Sequence, residues 1–559
     1  MPAIIECVPN FSEGRDLNII QSITNEIESV EGVRLLNVDP GKTTNRTVVT
    51  FIGEPAAVVE AAFLAIRKAG ERIDMRSHKG EHPRMGATDV CPLIPVTGIS
   101  MEETAAWAKK LAERVGKELS IPVYLYEAAQ KNKSRSNLSV IRAGEYEGFT
   151  EKIQRPEWNP DFGPAVFDLH RGATVIGARD FLVAYNVNLN TTSVRRANSI
   201  AFDVREAGRV KRDGDPVTGE IIKEENGMPV NIPGSLKSVK AIGWYIEEYG
   251  IAQISMNLTN LSVTPLHIAF DEVCRKADAR GIRVTGSELV GLIPLQAMLD
   301  AGKYFLIKQK RSAGVSEKEL IRMAIHSMGL GELSPFKPEE KIIEYLLKDK
   351  STEKMIQLSL SEFADETASE SPAPGGGSVA AYLGVLGASL GGMVANLSAH
   401  KKGWDDRWKE FSDWAERAEA SKNSLLRLVD ADTKAFQEVM QAHSLPKSTD
   451  IEKANRKKAI EEATAKAIDV PFQVMKLALK SMQIIKTMAR QGNPNSISDA
   501  GVGALCARSA VLGAYLNVRI NAAGNEADQK FSAILSEAKK MEAEAVVLEV
   551  EILQLVNLR

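Results

Sequence analysis

The chain has 559 residues, 44% apolar and 26% charged, with 70 basic against 73 acidic side chains. That length calls for several domains, and that balance belongs to a folded globular protein rather than a disordered one. Basic and acidic residues nearly cancel in both halves, so the cationic excess that a nucleic-acid partner demands is missing.

The N-terminus, MPAIIECVPNFSEGRD, carries acids early and lacks both a basic start and a long apolar core, so no signal peptide is expected. Residues 1–180 alternate short β-type runs with amphipathic helical ones. Strands are predicted at Val33–Val38, Arg46–Phe51, Val90–Val96 and Pro122–Tyr126, and helices at Pro55–Ala69 and Met101–Leu119. A second alternating block, 181–330, has predicted strands at Phe181–Leu189, Ala241–Glu247 and Ala252–Leu258, with helices at Val194–Glu206 and Leu266–Arg280. Within it, 208–235 is rich in Gly, Pro and charge and reads as a surface excursion. A linker is expected over 331–354, ending in the charged LLKDKSTEK at 346–354. From 355 to 559 the β-type alternation is gone and helix follows helix, with Pro446, Pro471 and Pro494 expected to bound them. The fold class is therefore an α/β N-terminal part of two sheet-plus-helix subdomains, followed by an all-α helical bundle.

Val379–Leu397 is long enough to span a bilayer, but Gly, Ala, Ser and Asn dilute its large apolar residues. A buried or dimer-interface helix is expected there, and no membrane association. Cys7, Cys91, Cys274 and Cys506 show no CxxC spacing, which suits reduced thiols in a cytoplasmic protein.

Four strings could carry chemistry. His78-Lys-Gly-Glu-His82-Pro-Arg holds two of the seven histidines. Gly80 and Pro83 break the helix that a zinc pair four residues apart would need, which leaves a loop presenting one general base, or incidental surface histidines. Asp39-Pro-Gly-Lys-Thr-Thr-Asn45-Arg46 imitates a phosphate loop but lacks its upstream Gly. It is either a polar hairpin or a source of Asp39, Asn45 and Arg46 for a cleft. Gly375-Gly376-Gly377-Ser378 opens the charge-free helix, with Ser378 as its expected N-cap. The free N–H groups there suit an anion, and a flexible linker before a capped helix is the alternative. In Leu425–Phe436, helical spacing puts Asp432 on a stripe with Leu425, Leu428 and Phe436, and sends Asp430 and Thr433 to the polar side. A carboxylate on an apolar stripe is either salt-bridged or a working acid of raised pKa.

The strings CVPNFSEGRD (7–16), DPGKTTNRTVVTF (39–51), HKGEHPRMGATDVCPLIPV (78–96), EYEGF (145–149), DFGPAVFDLHRGATVIGARDFLVAYNVNL (161–189) and TGSELVGLIPLQAMLDAG (285–302) resemble glutamate formimidoyltransferase. APGGGSVAAYLG (373–384), LVDADTKAF (428–436) and GAYLNVRIN (513–521) resemble formimidoyltetrahydrofolate cyclodeaminase. Together they run in the order of the fused formimidoyltransferase-cyclodeaminase family, across nearly the whole chain.

The resemblance implies transfer of a formimino group from N-formimino-L-glutamate to N5 of tetrahydrofolate, then closure to 5,10-methenyltetrahydrofolate with loss of ammonia. It implies His82 and Asp432 as the catalytic residues of the two steps. It places folate binding on Gly163, Pro164, Ala165, Val166, Phe167, Asp168, Leu169, His170, Arg171 and Gly172. Asp39 is a weaker expectation, a carboxylate that orients or charge-balances His82, with Asn45 beside it; Gly375, Gly376, Gly377 and Ser378 are expected to line the Asp432 site. The co-substrate is tetrahydrofolate, with or without a polyglutamate tail, and no metal is required. A homo-oligomer with dimer contacts through the helical domain is implied as well. Two other classes stay open: a transferase whose helical half is only an assembly scaffold, and a folate-binding protein without turnover.

Overall fold

The computed structural model describes residues 3–215, 218–225, 227–347, 355–523 and 529–558. It contains two compact units. One is built from the chain up to Ala301 together with the stretch beginning at Ala324; the other combines Gly302–Met323 with the C-terminal helices.

The first unit opens with β1 (Ile4–Cys7), β2 (Asn10–Phe11), α1 (Leu17–Glu28), β3 (Val33–Gly41), β4 (Arg46–Gly53), α2 (Pro55–Arg72), β5 (Thr88–Thr97), α3 (Met101–Glu118), β6 (Val123–Glu127), α4 (Leu138–Arg142), α5 (Glu145–Lys152) and β7 (Thr174–Ala178). β1 and β2 act as one interrupted strand, antiparallel to β4 on one side and β5 on the other. The break falls at Val8-Pro9, where proline has no N–H to give a ladder. β7 and β6 extend the sheet in parallel from β5. One face packs on α2 and α3 through fully buried residues such as Val49, Phe51 and Leu93. Each such side chain contributes roughly 1.5–3 kcal/mol by leaving water.

β8 (Val183–Leu189), α6 (Val194–Val204), β9 (Arg209–Val210), β10 (Asn231–Ile232), β11 (Val239–Ile246), β12 (Ile251–Leu258), α7 (Leu266–Asp278) and β13 (Val284–Val290) form the second half of this unit. Its four-stranded antiparallel sheet runs β11-β12-β8-β13. The excursion at 208–235 carries the short β9–β10 pair and, among its described residues, the isolated bridges Arg212–Ile221 and Lys223–Pro229. α8 (Leu295–Lys308) and α9 (Glu317–Met328) follow, then α10 (Pro338–Lys341) and α11 (Ile343–Leu347).

Two boundaries differ from the sequence reading. Of the expected linker, 348–354 lies outside the described residues, while 331–347 is folded: Ile342 is buried, and Ile293 exchanges backbone hydrogen bonds with Lys341 and Ile343. Residues 302–323, read as part of the second α/β block, belong to the helical unit. There the Ser412 hydroxyl accepts from Ala313 N at 3.0 Å and Asn396 Nδ2 donates to Gly314 O at 2.8 Å, so this hairpin is stitched to helices distant in sequence.

The helical unit contains α12 (Leu360–Ala368), α13 (Gly376–Ala399), α14 (Trp408–Ser444), α15 (Asp450–Gln491), α16 (Ile497–Ala522) and α17 (Gln529–Asn557). α13, the apolar candidate span, sits against α14 and α16 with Gly384, Gly387, Gly391 and Gly392 buried. A Cβ on Gly387 would stand 2.9 Å from the Ala507 Cβ, so its absence lets α16 approach. Pro471 does not end a helix: it lies inside α15 and is buried. Proline leaves the carbonyl four residues back without its helical donor. Asn521 Nδ2 supplies that donor to Ala467 O at 2.7 Å, which is why the helix runs through.

Two candidate active sites

In the first unit, the chain between α2 and β5 is a loop, and His82 is half-buried on it. Its Nδ1 is 2.8 Å from the Pro83 carbonyl, an acceptor only, so Nδ1 carries the proton and Nε2 keeps its lone pair. Beneath it lies Asp89, fully buried at the start of β5. One Asp89 oxygen takes Arg46 Nη1 at 2.5 Å and Arg142 Nη2 at 2.6 Å; the other accepts Met85 N at 3.0 Å. Arg46 Nε also donates to Asn10 Oδ1, and its Nη1 reaches the Pro83 carbonyl at 3.5 Å. Burial, then repulsion from Arg46 and Arg142, pushes the His82 pKa down to about 3, so the imidazole is neutral at any physiological pH. Asp89 is held below the usual carboxylate range: burial alone would raise it, and the two guanidiniums together outweigh burial.

The neighbouring residues are structural. His78 is buried with Nε2 on Asn45 O at 2.8 Å and Nδ1 facing Arg84 Nε at 3.3 Å. Arg84 forks onto Glu147 at 2.8 and 2.7 Å. Asn45, expected to serve the cleft, spends its side chain on Gly14 N and Lys79 O, bracing the loop. Asp39 does not take the expected place beside His82: its Oδ2 accepts from Gly291 N at 3.2 Å, and Asp89 supplies the charge instead. The reason is direction along the strand pair, since Asp39 pairs with Val48 on β4, two residues beyond Arg46.

The stretch 163–172 is an anchored surface loop. Gly172 takes φ +73°, and a Cβ there would strike Met85 O at 2.2 Å; Ala87 N and Ala173 N bond Arg171 O and Met85 O across the same contact. This joins the loop directly to the strand of chain carrying His82. Asp168 accepts from His170 N and Arg171 N and pairs with Arg171, whose Nη1 also reaches Leu119 O, so these residues shape the turn. Phe167 is buried on Tyr146 and Phe149. Gly163, Pro164 and Ala165 are exposed, as are Val166 at 70% and Leu169 at 55%, an apolar face open to solvent.

In the helical unit, Asp432 of α14 meets the first turn of α13. Its Oδ2 accepts from the Ser378 hydroxyl at 2.9 Å, and Thr433 Oγ1 stands 3.3 Å from the same hydroxyl. The N-cap of α13 is Gly375, not Ser378; Ser378 is the third helical residue and turns its hydroxyl to Asp432. A Cβ on Gly377 would sit 2.2 Å from Asp432 Oδ1, so only glycine admits the carboxylate this close. The anion place at the helix start is thus taken by the protein's own carboxylate. Gly376 faces Asn517 of α16, whose Nδ2 bonds Gly513 O. Burial raises the Asp432 pKa, and the Ser378 hydroxyl and N–H only partly pull it back. Thr433, expected on the polar side, is buried, while Phe436 is 42% exposed; the α13 terminus covers α14 from a side that periodicity does not reveal.

Sequence reasoning missed Asp89 and Arg142. The available signal was a lone Asp opening an otherwise apolar strand. No group of three or more His, Cys, Asp or Glu suited to a metal occurs among the described residues.

Comparison with known proteins assigns both units. Residues 4–179 match the model of the formiminotransferase domain's N-terminal subdomain, 184–348 that of the formiminotransferase domain, and 359–540 that of formiminotransferase-cyclodeaminase. The chain is 42% identical to the formimidoyltransferase-cyclodeaminase of Mus musculus, over 97% of its own length and 98% of that protein. The chain belongs to the formimidoyltransferase-cyclodeaminase family. The chicken member is 43% identical over 98% of this chain and 99% of its own. Single-function relatives match parts of the chain: the glutamate formimidoyltransferase of Thermoplasma acidophilum (42% identity, 54% of this chain, 92% of that one) and the methenyltetrahydrofolate cyclohydrolase of Methylorubrum extorquens (38%, 36% and 96%). Among solved structures, the formiminotetrahydrofolate cyclodeaminase of Thermotoga maritima aligns with 29% identity over 36% of this chain and 96% of its own, at a TM-score of 0.32.

Proposed function

We propose that this member of the family carries out two consecutive folate reactions of histidine degradation. It transfers the formimino group of N-formimino-L-glutamate to N5 of tetrahydrofolate, and then cyclises the 5-formimino product to 5,10-methenyltetrahydrofolate with release of ammonia. The observation that carries this reading is the identity, above 40%, to bifunctional relatives along almost the entire chain.

In the first reaction, N5 attacks the formimino carbon and must lose a proton, while the departing glutamate nitrogen must gain one. His82 does both: its Nε2 lone pair accepts the first proton and returns it to the leaving nitrogen. The Nδ1–H bond to Pro83 O supports this role by fixing the tautomer. The exposed apolar face of 163–172, tied to the His82 loop through Gly172, supports a folate ring laid beside the base. In the second reaction, N10 attacks the same carbon and ammonia departs. Asp432, whose pKa burial raises, donates to the amine, and the Ser378 hydroxyl, itself in contact with Thr433 Oγ1, holds the carboxylate produced. Neither step calls on a metal. The folate is accepted with or without a polyglutamate tail.

A homo-oligomer with dimer contacts through the helical unit is supported by apolar side chains left exposed on α13 (Leu386, Met393, Leu397) and α16 (Leu516, Ile520); sedimentation of Leu516→Glu against the parent protein tests it. Cys7, Cys91, Cys274 and Cys506 are free thiols, which supports a cytoplasmic location. The deciding assay combines tetrahydrofolate and N-formimino-L-glutamate and follows methenyltetrahydrofolate absorbance together with ammonia. Joint appearance upholds the two-step reading. Glutamate release with neither product would reduce the helical unit to a scaffold.

A further inference from the structure

Two guanidiniums share one carboxylate beside His82. Arg46 and Arg142 both close on Asp89, their side chains 9% and 13% exposed against 0% for Asp89. Among the described residues no second acid forms an ion pair with either arginine; Glu145 and Glu147 are turned to Arg84. The cluster therefore keeps one uncompensated positive charge in a place where burial makes it costly. The Arg142 Nε–H is buried with no hydrogen-bond partner among the described residues, a donor that folding alone leaves unsatisfied. Arg209 and Arg280 also share one carboxylate, Asp203, so it is the unsatisfied Arg142 Nε–H together with the place beside His82 that sets this cluster apart.

The donor substrate explains the surplus. In N-formimino-L-glutamate the leaving nitrogen and the α-carboxylate are attached to the same carbon. Whatever group protonates that nitrogen must therefore work within a few ångströms of a negative charge. We propose that Arg142, with Arg46, binds the α-carboxylate of the formimino donor, and that Asp89 aims the two guanidiniums while leaving one charge for the substrate. This rests on the transferase reading of His82. It makes the cluster a specificity device, since a site that pairs a substrate charge rejects the analogue lacking it by leaving its own group unpaired. The same carboxylate would also offset the cations that add to burial in keeping His82 unprotonated, so donor binding raises the basicity of the group that must take the N5 proton.

The test compares N-formimino-L-glutamate with N-formimino-4-aminobutyrate, which lacks only the α-carboxylate, in the full-length protein. The parent enzyme should prefer the first by about 100-fold in kcat/KM. In Arg142→Met that preference should collapse to within a few-fold, through a raised donor KM, with the KM for tetrahydrofolate unmoved. Arg142→Lys should restore part of the preference, because a point charge replaces half of a fork. Asp89 retains Arg46 as its partner in both variants, and thermal unfolding checks that they fold. Equal losses on the two donors would overturn the proposal and make Arg142 structural. A rise confined to the tetrahydrofolate KM would overturn it in favour of the folate's own carboxylates. If the parent enzyme transfers from N-formimino-L-glutamate but does not discriminate, the inference alone fails; if it does not transfer at all, the transferase reading fails with it.

Discussion

The two units use burial to opposite ends. Around His82, burial and two guanidiniums remove the proton, leaving a neutral base with a free lone pair. Around Asp432, burial with no ion-paired cation among the described residues raises the carboxyl's pKa and so favours the neutral acid. Withdrawing water favours the uncharged form in each case, and the residue type decides whether that form gives or takes a proton. The order suits the chemistry: the first reaction begins with deprotonation of a nucleophile, and the second ends with protonation of a leaving amine.

The sharpest way to break this comparison is to remove each group separately. His82→Ala should lower formimino transfer by 10²–10⁴-fold while supplied 5-formiminotetrahydrofolate is still cyclised, and Asp432→Asn should do the reverse. Loss of both activities in either variant would show that the two groups do not serve separate steps. Next in size is Gly377→Ala, whose new Cβ would collide with the Asp432 carboxylate. Ammonia release should fall about 10–100-fold, with formimino transfer unchanged, when the two products are assayed side by side.

The pH profiles sharpen the comparison further. On the proposed role Asp432 gives its proton from a raised pKa, so cyclisation should decline as pH rises through that value. Ser378→Ala removes a hydrogen bond to the anion, which raises the pKa again and moves the alkaline limb to higher pH. A limb that moves to lower pH would contradict the acid assignment. The acid limb of transfer should in turn lie at higher pH in kcat than in kcat/KM, because the bound donor offsets the cations around His82. The smallest effect concerns stability. Asn521→Ala strands the Ala467 carbonyl beside Pro471 and should cost about 1–2 kcal/mol in denaturant unfolding, and Pro471→Ala in the same chain should recover most of it by restoring the helical donor.

Much of the fold was legible because periodicity is local. The predicted strands at Val33–Val38 and Arg46–Phe51 fall within β3 and β4, and Leu266–Arg280 covers α7. Pro471 was misread for a non-local reason: the group that repairs its helix, Asn521 on α16, lies 54 residues from the Ala467 carbonyl it serves. At the second site, helical spacing singled out Asp432 but put Thr433 in solvent and made Ser378 a cap. Both errors share a cause, the seating of one helix start against the middle of another, which no window along either helix contains.

The sequence by itself determined the class of each part, the loop character of 78–86 and the anomaly of a carboxylate on an apolar stripe, since side-chain spacing and the backbone habits of Gly and Pro act within a few residues. Only the tertiary structure decided which way each group's proton equilibrium is pushed. Asp89 meets Arg46 and Arg142 across separations of 43 and 53 residues, and Asp432 meets Ser378 across 54. A protonation state depends on what surrounds a group in three dimensions: how much water is excluded and which charges replace it.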